Sequence, residues 1–173
     1  MKIIFGSWPI HFFAGIPFHN FLALVSEAGE PLRELNGGAL KADGTYNYRA
    51  LYGPLTVVET DYSRRDPRYF PEFYIRPSSR ALILFEGSAR ASEERWSTAL
   101  AAARAIERMD LRYSLLRRNS NSVAAALVRA MGLTPPKSAC SPIRAPGGRC
   151  VLLPVAAPST VSKARLEFTR QVK

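Results

Sequence analysis

A chain of 173 residues with 47% hydrophobic content has enough apolar side chains for a core of its own and is short for two domains. No run of about 18 apolar residues occurs, so the sequence offers no transmembrane helix. The net charge of +10 is unevenly spread. Residues 1–109 carry 13 Lys and Arg against 12 Asp and Glu, and residues 110–173 carry 11 against 2. Of the 24 basic residues 19 are Arg, a side chain that grips carboxylates and phosphates with paired hydrogen bonds. Such a face suits an anionic partner, whether a polymer, a lipid surface or, less well, a nucleic acid, for which no recognised motif appears. It is equally compatible with an ordinary solvated surface.

In chain order, Ile3 to Val25 is apolar but broken by Trp8, Pro9, His11, Pro17, His19 and Asn20, a poor signal peptide. Residues 1–18 read as irregular or partly extended. His19 to Val25 then reads as a strand, Ser26 to Glu30 as a turn, and Pro31 to Asn36 as the return strand, ended by Gly37-Gly38. Residues 39–53 suggest a loop, and Leu55 to Glu59 a short β-branched strand. From Asp61 to Arg76 Arg, Tyr, Phe and Pro are mixed, as in a loop with core-capping aromatics. Arg80 to Glu86 is apolar in its middle and predicts a central strand. A helix follows from an N-cap at Ser92 to about Met109, lining Trp96, Ala99, Leu100, Ala103 and Ile106 on one face.

The stretch from Tyr113 to Gly132 sets a polar cluster before a second amphipathic helix. Asn119 and Ser120 are good caps, Val123 and Leu127 recur at helical spacing, and Gly132 with Pro135 and Pro136 stops the element. Cys140 and Cys150 flank a Pro- and Gly-rich loop. If bridged they would contribute on the order of 3 kcal/mol and place the protein in a secreted or periplasmic setting. If reduced they fit the cytoplasm. Val151 to Val155 reads as a last edge strand because of Pro154, and residues 159–173 form a tail without assignment after a single domain over 1–158.

Three residues compose a candidate reactive group. A hydroxyl is a weak nucleophile until a base takes its proton, and the base works best when a third group holds its tautomer. Ser120 is the candidate nucleophile, His19 the base and Glu34, or another polar strand residue, the orienting group, with His11 a competing base. A helix N-terminus at Ser120 would supply N–H groups for an oxyanion. Asn119, Asn121, Arg117, Arg118 and Tyr113 are the candidate substrate- or anion-binding residues around it. The competing account makes Ser120 a helix cap and His19 structural.

A His heading a hairpin, further strands, and then Tyr113-x-Leu-Leu-x-x-Asn119-Ser-Asn-Ser-Val opening a helix resembles the circularly permuted papain-like proteins. These include the PPPDE peptidases, the lecithin retinol acyltransferase-like proteins and permuted NlpC-type amidases. The resemblance spans roughly residues 15–133. It implies an α+β fold, a small antiparallel sheet against two main helices, with His19 as the family base and Ser120 where the family has Cys. Phe18 stands where Gly is common. The implied activity is hydrolysis or acyl transfer at an amide or ester, without metal or organic cofactor, on an anionic substrate such as peptidoglycan or lipid. The other reading is a non-enzymatic cationic binding domain on the same fold, using Arg112, Arg117, Arg118 and Arg129.

Overall fold

The computed structural model describes residues 1–10, 18–47, 52–64, 80–141 and 143–153. Its class is α+β: a five-stranded antiparallel sheet and two helices. The strands are β1 (Lys2–Pro9), β2 (Phe18–Val25), β3 (Pro31–Leu40), β5 (Leu55–Asp61) and β6 (Arg80–Glu86), arranged β5-β3-β2-β1-β6, and the two-residue β4 (Tyr46–Asn47) joins the far end of β3. The helices are α1 (Ala89–Arg108) and α2 (Ser120–Ala130).

The first strand sharpens the sequence reading of residues 1–18 as irregular or partly extended. Residues 2–9 pair with β2 on one side and β6 on the other. Gly6 obscures the alternation of Ile3 and Phe5. Its role is local: a Cβ there would come within 2.1 Å of the Phe21 ring, which lies across it. Because β1 takes the interior place, β6 is the edge strand among the described residues rather than the expected central one, and Leu82 and Ile83 are each 52% exposed.

The glycine pair does not end β3. The strand runs through Gly37 and Gly38 to Leu40 and pairs with β5 from Arg33↔Asp61 to Ala39↔Leu55. Both glycines permit close approach: a Cβ on Gly37 would lie 2.6 Å from Val123 Cβ, and one on Gly38 would meet the Tyr46 ring at 2.4 Å. β5 accordingly runs two residues past Glu59, and β4 lies within the expected loop.

The hairpin turn falls at Ser26 to Glu30, with Gly29 at φ +86° and the Ser26 N–H donating to Glu30 O at 2.8 Å. Helix α1 starts earlier than expected. Ser88 is the cap, accepting from the Ala91 N–H at 3.3 Å, while Ser92 is buried one turn in and donates to Met1 O at 3.3 Å. Leu152 packs into the core without a ladder partner, so residues 151–153 are not the expected strand. The rest of that segment, the tail, His11 and residues 65–79 lie outside the described residues.

Both helices cover one sheet face. Ile3, Phe5, Leu22, Leu24, Leu35 and Val57 meet Trp96, Ala103 and Ile106 of α1 and Val123, Leu127 and Val128 of α2 in one buried cluster. Side chains alternate along a strand, so the residues between these belong to the other face. There the directly paired Phe21 and Asn36 are flanked by His19 and Glu34, two residues along each strand. Among the described residues no helix is long and apolar enough to cross a membrane.

Candidate functional site

The N-terminus of α2 is pinned from three sides. Asn119 is the cap: its Oδ1 accepts the N–H groups of Asn121 at 3.0 Å and Ser122 at 3.2 Å, and Ser122 Oγ accepts the Asn119 N–H at 2.8 Å. This reciprocal box satisfies donors that the first helical turn otherwise leaves unpaired. The Asn119 Nδ2 donates to Leu115 O and to Pro146 O, the latter at 2.8 Å. Gly147 at φ +83° brings the loop so close that a Cβ would lie 2.8 Å from Asn119 Oδ1. Asn121 completes the brace: its Nδ2 donates to Pro146 O at 3.2 Å, and its Oδ1 accepts the Asn20 N–H of β2 at 3.1 Å.

Asn119 and Asn121 thus have structural duties at the positions read as substrate-binding. Ser120 lies between them as the first helical residue and is buried, 4% exposed. The Asn121 and Ser122 N–H groups, which an uncapped helix start would offer to an oxyanion, both go to Asn119 Oδ1. The Ser120 N–H is not taken by that cap.

His19 is buried on β2, and its Nε2 lies 2.8 Å from Asn36 Oδ1 on β3. Asn36 Nδ2 donates to Glu34 Oε1 at 2.5 Å, and Tyr62 Oη donates to Glu34 Oε2 at 2.7 Å. The amide nitrogen facing the carboxylate fixes which way Asn36 points. Its oxygen then faces the imidazole, and an amide oxygen only accepts, so His19 carries its proton on Nε2. In the neutral ring the lone pair therefore belongs to Nδ1. Burial pushes the His19 pKa down to about 4, partly opposed by the bond to Asn36, which favours the charged form.

Glu34 therefore does not hold His19 directly, as the sequence suggests. Asn36 does, and Glu34 holds Asn36. Two positions apart on a strand, Glu34 and Asn36 share a face, and that spacing is the signal that singles out Asn36 among the other polar strand residues left open by the sequence. The β2–β3 register ends at Phe21↔Asn36. One residue further along β2, the Asn20 N–H donates to α2, so the residues adjoining His19 and Ser120 are hydrogen-bonded to each other.

The remaining candidates lie further out. Tyr113 is half-buried against the core, and burial raises its pKa to about 12. Arg117 is exposed beside Pro146 and Gly147, and Arg118 is half-buried. Cys150 has a free thiol, and the Cys140 side chain is outside the described residues. No described cluster of three or more His, Cys, Asp or Glu is placed to hold a metal ion. Comparison with family models, with curated proteins and with solved structures finds no match.

Proposed function

We propose that this chain is a serine-using relative of the permuted papain-like proteins, acting as a hydrolase or acyl transferase on an amide or ester bond. The observation that carries the reading is the His19–Asn36–Glu34–Tyr62 hydrogen-bond series, joined to the start of α2 by the Asn20 N–H to Asn121 Oδ1 bond. The β2–β3 ladder ends at Phe21↔Asn36, and beyond that end the Asn20–Asn121 bond draws the start of α2 to β2. In this reading Ser120 Oγ attacks the carbonyl carbon there and His19 Nδ1 takes its proton around the open strand end. The carbonyl oxygen becomes an oxyanion facing the Ser120 N–H.

As the imidazole becomes charged, its Nε2–H remains on Asn36 Oδ1 and the Glu34 carboxylate behind Asn36 stabilises the positive ring. Collapse of the tetrahedral species expels the amine or alcohol, which takes the proton from Nδ1. The acyl group on Ser120 then passes to water or to an acceptor activated by the same nitrogen. Asn36 and Glu34 are positioning residues in this scheme. The cationic side chains after residue 110 favour an anionic substrate, with peptidoglycan and lipid as the leading classes.

The test is labelling by a fluorophosphonate probe, read by mass spectrometry of the peptide containing Ser120. Modification of Ser120 in the folded chain is expected, absent in Ser120→Ala and slowed at least about 100-fold in His19→Gln, the usual scale for a general base. Labelling no faster than in urea-unfolded protein, or a rate unchanged by His19→Gln, overturns the proposal.

A further inference from the structure

A cavity of about 100 Å³ opens among β1, β2, β6 and the loop after α2. Its lining includes Ser7, Phe18, Asn20, Arg80, Leu82 and Arg144. Asn20 is 1% exposed, and its Oδ1 accepts the Ser7 hydroxyl at 2.8 Å. That bond fixes the amide orientation and leaves Nδ2 as the other end, a buried donor with no hydrogen-bond partner among the described residues. Buried donors are almost always paired, so an orphan beside a cavity points to something that fills it.

The rim supplies the charge. Arg80 and Arg144 are both exposed, and neither enters an ion pair among the described residues. The Arg80 guanidinium lies 5.4 Å from the Phe18 ring centroid, and the backbone of Arg144 is tied to β2 by its carbonyl, which accepts the Phe18 N–H at 2.6 Å. The walls contributed by Phe18 and Leu82 are apolar. The volume equals about three waters at liquid density, room for a carboxylate on a stem of two or three carbons.

We propose that this cavity is a binding site for a short-chain carboxylate, whose charged end meets Arg80, Arg144 and the Asn20 amide while its stem lies against Phe18 and Leu82. An ionised acceptor satisfies the orphan donor with a charge-assisted bond, and the arginine forks match carboxylate geometry. The site stands whether or not Ser120 is a nucleophile.

The test uses the full chain, ¹⁵N-labelled, titrated with butyrate and with its neutral isostere butyramide at low salt. Butyrate is expected to shift the Asn20 side-chain amide and Arg144 Nε signals saturably. Butyramide should bind at least about tenfold more weakly, the scale of one hydrogen bond to a charged group. Arg80→Gln and Arg144→Gln should each weaken butyrate several-fold, and the double variant should abolish saturation with an unchanged thermal midpoint. Ser120→Ala should bind butyrate as the parent does. Equal affinity for butyramide, retention of binding in the double arginine variant, or no shift at Asn20 overturns the proposal.

Discussion

Stability against acid isolates His19 from the rest of the chain. The ordinary imidazole pKa of 6.5 falls to about 4 in the fold because burial penalises the charged ring. Above 6.5 the ring is neutral in both folded and unfolded states and contributes no pH dependence. Between 6.5 and about 4 the unfolded chain takes up a proton that the folded chain refuses, so stability declines as pH falls through this window and levels off below it. At about 1.4 kcal/mol per pH unit the full loss is about 3 kcal/mol. Carboxylates contribute their own acid dependence, so the measurement is a difference against His19→Gln, which keeps an amide N–H for Asn36 Oδ1 and has no proton to gain. With a urea m-value of about 2 kcal/mol/M, the wild-type midpoint should drop roughly 1.5 M further than the variant's between pH 7 and pH 4. Parallel curves, or a His19 NMR titration midpoint near 6.5, would refute the reasoning.

Other substitutions test the packing around the same site. Gly37→Ala places a methyl 2.6 Å from Val123 Cβ and should cost about 1–3 kcal/mol. Val123→Gly in the same chain, which removes that Cβ, should relieve most of the clash, a coupling a double-mutant cycle measures beside the helix cost of the glycine itself; additive effects would mean α2 does not sit against Gly37. Asn119→Ala removes the acceptor for two helix N–H groups and should destabilise by about 1–2 kcal/mol, with hydrogen-exchange protection lost first at Asn121 and Ser122. Asn36→Ala removes the amide that bonds both His19 Nε2 and Glu34 Oε1 and should cost about 1–3 kcal/mol in chemical denaturation, a loss well below 1 kcal/mol counting against the series.

Legibility in the sequence follows the range of the forces involved. Helix α2 is marked by its own residues: Asn119 as cap, Val123 and Leu127 at helical spacing, Gly132 as stop at φ +73°, all acting within a few positions. The β2–β3 hairpin is local for the same reason. Strand β1 is not, because Gly6 makes sense only against Phe21, 15 residues away, and one of its two partners, β6, begins only at Arg80. The order of the sheet inverts the expectation for β6, since an apolar run signals strand content and says nothing of which neighbours are present. Gly37 and Gly38 look like a terminator until α2 and Tyr46 are seen to need the space. In the site, residue types identify His19 and Glu34, whereas the amide between them needs the register.

The protonation state of His19 also bears on the choice between a hydroxyl and a thiol at position 120. A thiolate partner is favoured by an imidazolium, whereas a serine hydroxyl needs a neutral ring to receive its proton. A buried His19 with its proton on Nε2 and a pKa near 4 is neutral across the physiological range, the state that suits Ser120. In the proposed chemistry the low pKa also makes it a modest base, so the Asn36–Glu34 support would be needed most as charge builds on the ring. Under the proposed chemistry, fluorophosphonate labelling of Ser120 should therefore stay level from pH 8 to about pH 5 and fall to half near pH 4, where the imidazole begins to charge. In Ser120→Cys the thiol gains no imidazolium partner, so iodoacetamide alkylation should still rise through pH 7 to 8 rather than sit at a plateau. A labelling midpoint near 6.5, or a fully formed thiolate at pH 6 in Ser120→Cys, would mean that His19 is charged where the buried relay requires it to be neutral.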